Sequence, residues 1–244
     1  LIRALESGKH KVKIFAFRDL KLSITQSTIL KILSKTPYSG IYKAFLLNKE
    51  FKKHQKDFGL VIANDFFGMF VKNIKQILIF HGYYEDIFNC MKDRVSPLYR
   101  IWGGELARVQ RMSLKNADLV VTPSQRNFDY LKSKGLKVDK VIEHGIDTDF
   151  YKPTKNFNSL KSFKLPKNFL LSVGTRAPWK NFEIVKEASK DFDVVVISPK
   201  EKVGNIKFLE GVDDSLMPDL YSKAIVLLHP SLHEGFGYVV AEAM

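Results

Sequence analysis

The sequence predicts an α/β protein with two domains, each built on a mainly parallel sheet. Short runs rich in Val, Ile, Leu and Phe alternate with helical patterns along the whole chain, which is typical of strand–helix–strand units. These runs are apolar throughout, which indicates strands that are covered on both faces. A length of 244 residues is sufficient for two small domains of this kind.

In the first half the predicted strands are 11–17, 58–65, 76–82, 118–124 and 140–145, and helices between them include 41–55 and 104–117. In the second half the predicted strands are 168–174, 193–199, 205–211 and 224–231, with helices at 181–190 and 215–223. The segment 147–167 is rich in Lys, Asn, Ser and Pro, which is typical of a linker. A boundary near Pro153 therefore divides a domain at 1–150 from one at 151–244.

The net charge of +13 is concentrated in the first half of the chain. Residues 1–150 carry 26 basic and 15 acidic side chains, and residues 1–56 alone carry 13 and 3, whereas residues 151–244 carry 13 and 11. This asymmetry predicts a surface for an anionic partner, either a nucleic acid or a membrane. The single cysteine, Cys90, is interpreted as a packing residue of a protein in a reducing compartment. We expect a cytoplasmic protein with peripheral membrane association.

The stretch HPSLHEGFGYVVAEAM (229–244) carries the candidate site. The loop at 232–236 follows a predicted buried strand and opens a helix that begins near Gly237. Loops at the carboxyl ends of parallel strands are where open α/β sheets bind ligands, and a helix start there favours a phosphate. Gly235 and Gly237 would let the backbone approach that anion closely.

Two glutamates flank this helix start. Glu242 lies five residues after Gly237, about 8 Å along a helix, so its carboxylate would accept hydrogen bonds from the vicinal hydroxyls of a ribose next to a diphosphate. Glu234 falls on the opposite side of that diphosphate. The alternative from spacing alone is a capping glutamate and an ordinary surface glutamate. Arg176 and Lys180 follow the predicted strand 168–174, where two cations would neutralise a diphosphate.

The segments SVGTRAPWKN (172–181), EGFGYVVAEAM (234–244), FHGYY (80–84) and VIEHGIDTDFYKP (141–153) resemble a known family. They are similar to the retaining GT-B glycosyltransferases of the large family that includes glycogen synthases and bacterial mannosyltransferases. The resemblance implies two Rossmann-like domains with a donor cleft between them. It also implies transfer of a sugar from a nucleotide sugar with retention of configuration, and neither a metal nor a cofactor.

The resemblance assigns roles to individual residues. Glu234 would contact the hydroxyls of the donor sugar, Glu242 the ribose, Lys180 and Arg176 the diphosphate, and His81 the donor sugar from the first domain. The other donor-binding positions that it implies are Gly174, Thr175, Ser198, Val212, Gly235, Phe236 and Gly237. The acceptor is expected to be lipid-linked, or another glycan or a protein.

The family pattern also predicts that strands precede Leu1 and follow Met244, so the chain is expected to be incomplete at both ends. Three alternatives to a glycosyltransferase remain open at this point. They are a nucleotide-sugar epimerase, a phosphorylase-like enzyme and a basic nucleic-acid-binding protein. The sequence contains no zinc-ligand spacing, RNA-recognition aromatic motif or helix-turn-helix that would favour the last of these.

Overall fold

The structure is a computed structural model that describes residues 2–34, 36, 38–174, 177–199 and 202–244, with side chains from residue 5 onward. The chain forms two compact units. The first comprises Leu1–Tyr84 and Ile101–Val141, and the second comprises Glu85–Arg100 and Ile142–Met244. The second unit therefore includes a segment of 16 residues that lies far from the rest of it in sequence.

The first unit contains a parallel sheet of four strands in the order β1-β2-β3-β4. These strands are β1 (Leu60–Asn64), β2 (Lys75–Ile79), β3 (Leu119–Thr122) and β4 (Lys140–Val141). The helices in this part of the sequence are α1 (Ile2–Ser7), α2 (Ile24–Leu33), α3 (Tyr38–Lys52), α4 (Tyr84–Asn89), α5 (Pro97–Asn116) and α6 (Gln125–Ser133). Leu78, Val120 and Leu131 are fully buried in the core between the sheet and α5 and α6.

The strand predicted at 11–17 does not form. Instead, the Phe15 ring packs edge-on against the rings of Phe51 and Phe58, with centroids 5.4 Å and 5.9 Å apart. Lys13 and Ile14 are exposed, so this segment lacks the two covered faces of a central strand. The Phe15 side chain packs against α3, and the backbone of this segment pairs with no strand among the described residues.

The second unit contains a parallel sheet in the order β7-β6-β5-β8. The strands are β5 (Leu170–Val173), β6 (Val194–Ile197), β7 (Lys207–Leu209) and β8 (Val226–Leu227), and the helices from residue 142 onward are α7 (Phe182–Ala188), α8 (Met217–Lys223) and α9 (Tyr238–Ala243). Leu171 and Val195 face one apolar core, whereas Val194 and Val196 face a second core with Val185 of α7. The central strands are thus covered on both faces, as their apolar composition predicts.

One expectation for the second half is wrong, and part of the predicted linker packs on the core. The segment 224–231, predicted as a buried strand, provides only the two-residue β8, in which Val226 is 52% exposed. Among the described residues β8 pairs with β5 alone, so it lies at the edge of the sheet and its apolar run is not enclosed. The segment predicted as a linker is not free of the core either, because Leu160 is 2% exposed and packs with Phe169 and Leu220.

The strand order of the second sheet positions the candidate site. From β5 the chain moves outward to β6 and β7 and then returns to the other side of β5 as β8. The direction of strand addition therefore reverses between β5 and β8. Loops that leave the carboxyl ends of the two strands on either side of such a reversal diverge and leave a crevice in which ligands bind.

Candidate donor site in the second unit

The site is built on the two loops that follow β5 and β8. Of the first loop the structure describes Gly174 and residues 177–181, and the second runs from Leu228 to Gly237. The backbone N–H of Leu232 donates to the carbonyl of Trp179 at 2.8 Å, which fastens the two loops to each other. Side chains on both loops are therefore held over the carboxyl edge of the sheet.

The first loop has a backbone that presents Lys180. Gly174 has φ +133°, which a residue with a side chain rarely adopts, and a Cβ built there would lie 3.9 Å from Lys180 Cε. Lys180 ends a short 3-10 turn, Pro178–Lys180, and Asn181 follows it in the left-handed region at φ 52°. Thr175 and Arg176, both expected to bind the donor, lie outside the described residues.

Lys180 and Glu234 form the central contact of the site. Lys180 Nζ lies 2.6 Å from Glu234 Oε1, and these side chains are 22% and 29% exposed. His229 Nε2 lies 3.0 Å from the same carboxylate oxygen. The Nε2 atom of His229 and the Oγ atom of Ser231 are buried without a well-aligned hydrogen bond among the described residues.

The ionisation of Glu234 reflects these neighbours. Burial acts to raise the pKa of its carboxyl group, but contacts with His229, Lys180 and Ser231 outweigh burial and hold the pKa at about 2. Glu234 is therefore a carboxylate throughout the physiological pH range. It can accept hydrogen bonds from hydroxyl groups, but it cannot serve as a proton donor.

Glu242 lies in α9, within a group of phenols. Tyr221 of α8 donates from its hydroxyl to Glu242 Oε2 at 2.8 Å. Burial, and then the charge of Glu242, raise the pKa of Tyr151 to about 12 and also raise the pKa values of Tyr221 and Tyr238. These tyrosines therefore remain protonated and able to donate. Sequence reasoning missed this environment because it considered only the spacing of the two glutamates.

The Gly-Phe-Gly turn leads directly into α9. Gly237 precedes the helix in the left-handed region, at φ 88°, and α9 begins at Tyr238. The rings of Phe236 and Tyr238 pack on His144, with centroids 5.3 Å and 4.9 Å away. Burial lowers the pKa of His144, which favours a neutral imidazole. His144 belongs to a motif quoted above, yet its position against this turn was not predicted.

The remaining predicted positions of the second unit are less directly placed. Ser198 follows β6 and is buried, and its Oγ donates to the carbonyl of Pro199 at 3.1 Å. Val212 packs against the apolar core that contains Leu171. The geometry thus brings Lys180 and Glu234 together, gives Glu242 a phenol partner, and leaves Ser198 and Val212 near the ends of β6 and β7.

Residues 85–100 support both loops of the site from outside. Asp86 and His233 are buried, with Asp86 Oδ2 and His233 Nε2 3.1 Å apart. Arg94 donates from its guanidinium to the Asn181 side chain. Asp86 therefore holds the residue before Glu234, and Arg94 holds the residue after Lys180. Nothing in the sequence indicated these pairs, because their members lie more than 80 positions apart.

His81 lies in the first unit, just after β2. Its backbone N–H donates to Asp65 Oδ1 at 3.1 Å, its Nε2 lies 3.2 Å from Asn64 Oδ1, and its carbonyl accepts from Asn127 Nδ2 at 2.8 Å. Asp65 has φ 44°, and burial raises its pKa to about 7 against the effect of the His81 N–H. Left-handed non-glycine residues often mark functional sites. Asn64 and Asp65 were not predicted as neighbours of His81.

Within the described ranges, no group of three or more His, Cys, Asp or Glu side chains is arranged to hold a metal ion. None of the helices in those ranges combines the length and the apolar character that crossing a membrane requires.

Comparison with known proteins is consistent across both halves of the chain. A family model described as Glycosyltransferase Family 4 matches residues 1–150, and one described as Glycosyl transferases group 1 matches residues 155–244. A search of curated proteins found no match.

Several solved structures share the fold. A sucrose-phosphate synthase from Thermosynechococcus elongatus is 18% identical with a TM-score of 0.65, over 86% of this chain and 59% of that one. An Anabaena protein, HepE, solved in complex with UDP and glucose, is 16% identical with a TM-score of 0.54, over 99% and 67%. A trehalose 6-phosphate synthase from Burkholderia multivorans is 12% identical with a TM-score of 0.53, over 93% and 61%. This chain thus spans about three fifths of the first neighbour.

The buried Asp86–His233 contact yields a prediction about stability. Asp86→Ala should lower the free energy of unfolding by about 1–3 kcal/mol, because it leaves a buried imidazole without its partner. The matched control is Glu187→Ala, which removes an exposed partner of Lys190 and should cost no more than about 1 kcal/mol. Urea denaturation followed by circular dichroism compares the two, and equal midpoints would contradict the assignment.

Proposed function

Because this chain belongs to the GT-B glycosyltransferases of family 4 and group 1, we propose that it transfers a sugar from a nucleoside diphosphate sugar to an acceptor. The transfer proceeds with retention of anomeric configuration and without a metal ion or other cofactor. One observation carries this proposal. Lys180 and Glu234 meet at 2.6 Å over the strand-order reversal of the second sheet, which is where such folds bind nucleotides.

Lys180 supplies the positive charge for the diphosphate in this mechanism. An ammonium group has three donors, so Lys180 can hold Glu234 with one and direct the others at phosphate oxygens. As the glycosidic bond breaks, negative charge grows on the departing nucleoside diphosphate, and a cation already in place stabilises it. Arg176, Thr175 and Gly174 are the other residues on this side to which the family resemblance assigns donor binding.

Glu234 orients the donor sugar. A carboxylate with a pKa of about 2 accepts hydrogen bonds from sugar hydroxyls at any physiological pH, which supports a binding role over acid catalysis. The turn formed by Gly235, Phe236 and Gly237 lines the diphosphate, and Glu242 accepts from the ribose hydroxyls. Ser198 and Val212 border the base, and His81 of the first unit acts on the donor sugar. The Anabaena neighbour, solved with UDP and glucose, supports a nucleotide sugar as the donor.

The first experiment identifies the reaction itself. The full-length protein is incubated with UDP- and GDP-linked sugars, and sugar release and any epimerised donor are followed by mass spectrometry. We expect hydrolysis or transfer from at least one donor, and equal rates with and without a chelator, because Lys180 replaces the metal charge. An α-linked donor should yield an α-linked product by NMR. Activity that disappears in chelator and returns with a divalent ion would exclude the metal-free mechanism, and an epimerised donor would replace the transferase proposal.

Two substitutions separate the roles of Lys180 and Glu234. Lys180→Ala should lower the affinity for free UDP or GDP, and for the nucleotide sugar, by about 10-fold or more. The reason is that it removes a charge-assisted hydrogen bond to the diphosphate. Glu234→Gln should abolish transfer with a smaller effect on free nucleotide, because its contact is with the sugar. Titration calorimetry and steady-state rates measure both. Unchanged nucleotide affinity in Lys180→Ala would remove Lys180 from the diphosphate site.

We also propose a cytoplasmic protein whose first unit associates with anionic membranes through charge. Ala44 and Phe51 of α3 are buried in the first unit, whereas Phe45 on the same helix is 46% exposed. Lys49, Lys52, Lys53 and Lys56 are all exposed. Lipid would therefore meet these lysines together with the exposed Phe45 ring, and the acceptor would be presented at the membrane surface as a lipid-linked molecule.

Liposome sedimentation tests this association. Replacing Lys49, Lys52 and Lys56 by Glu should weaken binding to phosphatidylserine vesicles by at least about 1 kcal/mol per lysine at low salt. The control replaces the exposed Lys155, Lys167 and Lys190 of the second unit by Glu and should have a smaller effect. Equal binding of wild-type protein to neutral and anionic vesicles would contradict the proposal. Tighter binding to RNA than to vesicles would favour a nucleic-acid partner.

A further inference from the structure

The phenol that faces Glu242 suggests how this glutamate is held. Tyr221 OH donates to Glu242 Oε2 at 2.8 Å, and the Tyr151 ring lies 6.2 Å from the Tyr221 ring. A carboxylate has two oxygens with about four acceptor positions, and a phenol that occupies one of them fixes the plane of the group. The remaining positions then point in a defined direction.

We propose that Tyr221 is a positioning residue that orients the Glu242 carboxylate for a ribose, and so makes the donor site select ribose over 2′-deoxyribose. This inference rests on the donor site proposed above, in which Glu242 receives the ribose hydroxyls. Tyr221 itself does not touch the nucleotide. It acts through Glu242, as an outer residue that fixes the orientation of a contacting one.

The helix that carries Tyr221 is firmly seated, which makes the phenol a fixed reference. Leu220 of α8 is fully buried and Met217 is 7% exposed, both in the core beneath the sheet. Ser222 accepts from the backbone N–H of Thr154 at 3.1 Å, which fastens the end of α8. In contrast, α9 has six residues, none of them buried. The Glu242 side chain on the short α9 is therefore oriented by its contact with α8.

The protonation of the phenols supports the same direction of hydrogen bonding. Burial, followed by the charge of Glu242, raises the pKa of Tyr221 and brings that of Tyr151 to about 12. Both hydroxyls therefore remain able to donate at any pH at which the protein would work. A carboxylate that is already oriented loses less conformational freedom when a ribose binds than a free one does.

Calorimetry with paired nucleotides tests the inference on the full-length protein. UDP, GDP and their 2′-deoxy analogues are titrated into wild-type protein and into Tyr221→Phe, which keeps the ring and removes only the hydroxyl. We expect the wild type to prefer the ribonucleotide by about 10-fold, equivalent to 1.4 kcal/mol. Tyr221→Phe should lower the affinity for the ribonucleotide several-fold and change the affinity for the deoxynucleotide by no more than about two-fold. The preference for ribose would then be largely lost.

A double-mutant cycle distinguishes positioning from a general effect on the fold. Glu242→Gln should lose the same preference, and Tyr221→Phe added to it should change nothing further. Tyr42→Phe, in the first unit, is the matched control and should retain the wild-type preference. Equal weakening of ribo- and deoxynucleotides in Tyr221→Phe, or no weakening of either, would overturn the inference while leaving the donor site intact. A folded wild-type protein that binds none of the four nucleotides would overturn the donor site and this inference with it.

Discussion

The contact between Lys180 and Glu234 depends on the order in which the strands of the second sheet are laid down. The two residues are 54 positions apart, and β6, β7 and α8 lie between them in sequence. They meet because β8 returns to the side of β5 that β6 left open. In a sheet built in simple sequential order, β6 and β7 would lie between β5 and β8, which would then be three strand spacings, or about 14 Å, apart. The strand order therefore decides whether the Lys180 and Glu234 side chains can meet at all.

The surroundings of that contact are arranged to keep it in place. The hydrogen bond from Leu232 to Trp179 joins the two loops through their backbones, so the ion pair does not have to hold them. Partial burial strengthens the attraction between the charges, yet enough exposure remains for a ligand to reach both. Polar atoms of His229 and Ser231 lie beside the carboxylate without aligned hydrogen bonds among the described residues.

Local composition predicted most of the fold because continuous apolar runs identify strands buried on both faces. The parallel pairing then followed from the alternation with helices, whereas the strand order was not predicted. The sequence misled where an apolar run lies at an edge, as at Val226, or where an aromatic residue packs on a helix, as at Phe15, because burial depends on neighbours that a single segment does not reveal. For the site, spacing indicated Lys180 and Glu234, but the partners Asp86 and Tyr221 come from distant segments. Pairs of that kind are set by the tertiary arrangement, and one sequence without relatives carries no signal for them.

The second unit is built from two separate stretches of the chain, Glu85–Arg100 and Ile142–Met244. The polypeptide enters this unit, leaves it to complete α5 through α6 and β4 of the first, and returns at Ile142. The loops that carry Lys180 and Glu234 are thus supported by residues that the family match assigns to the other half of the protein. Exchange of residues 151–244 between relatives by a single crossover near Pro153 would leave Asn181 and His233 facing a foreign segment. A chimera that keeps both contacts must therefore carry residues 85–100 together with the residues from 142 onward, and a change at Asp86 alters the partner of a residue 147 positions away.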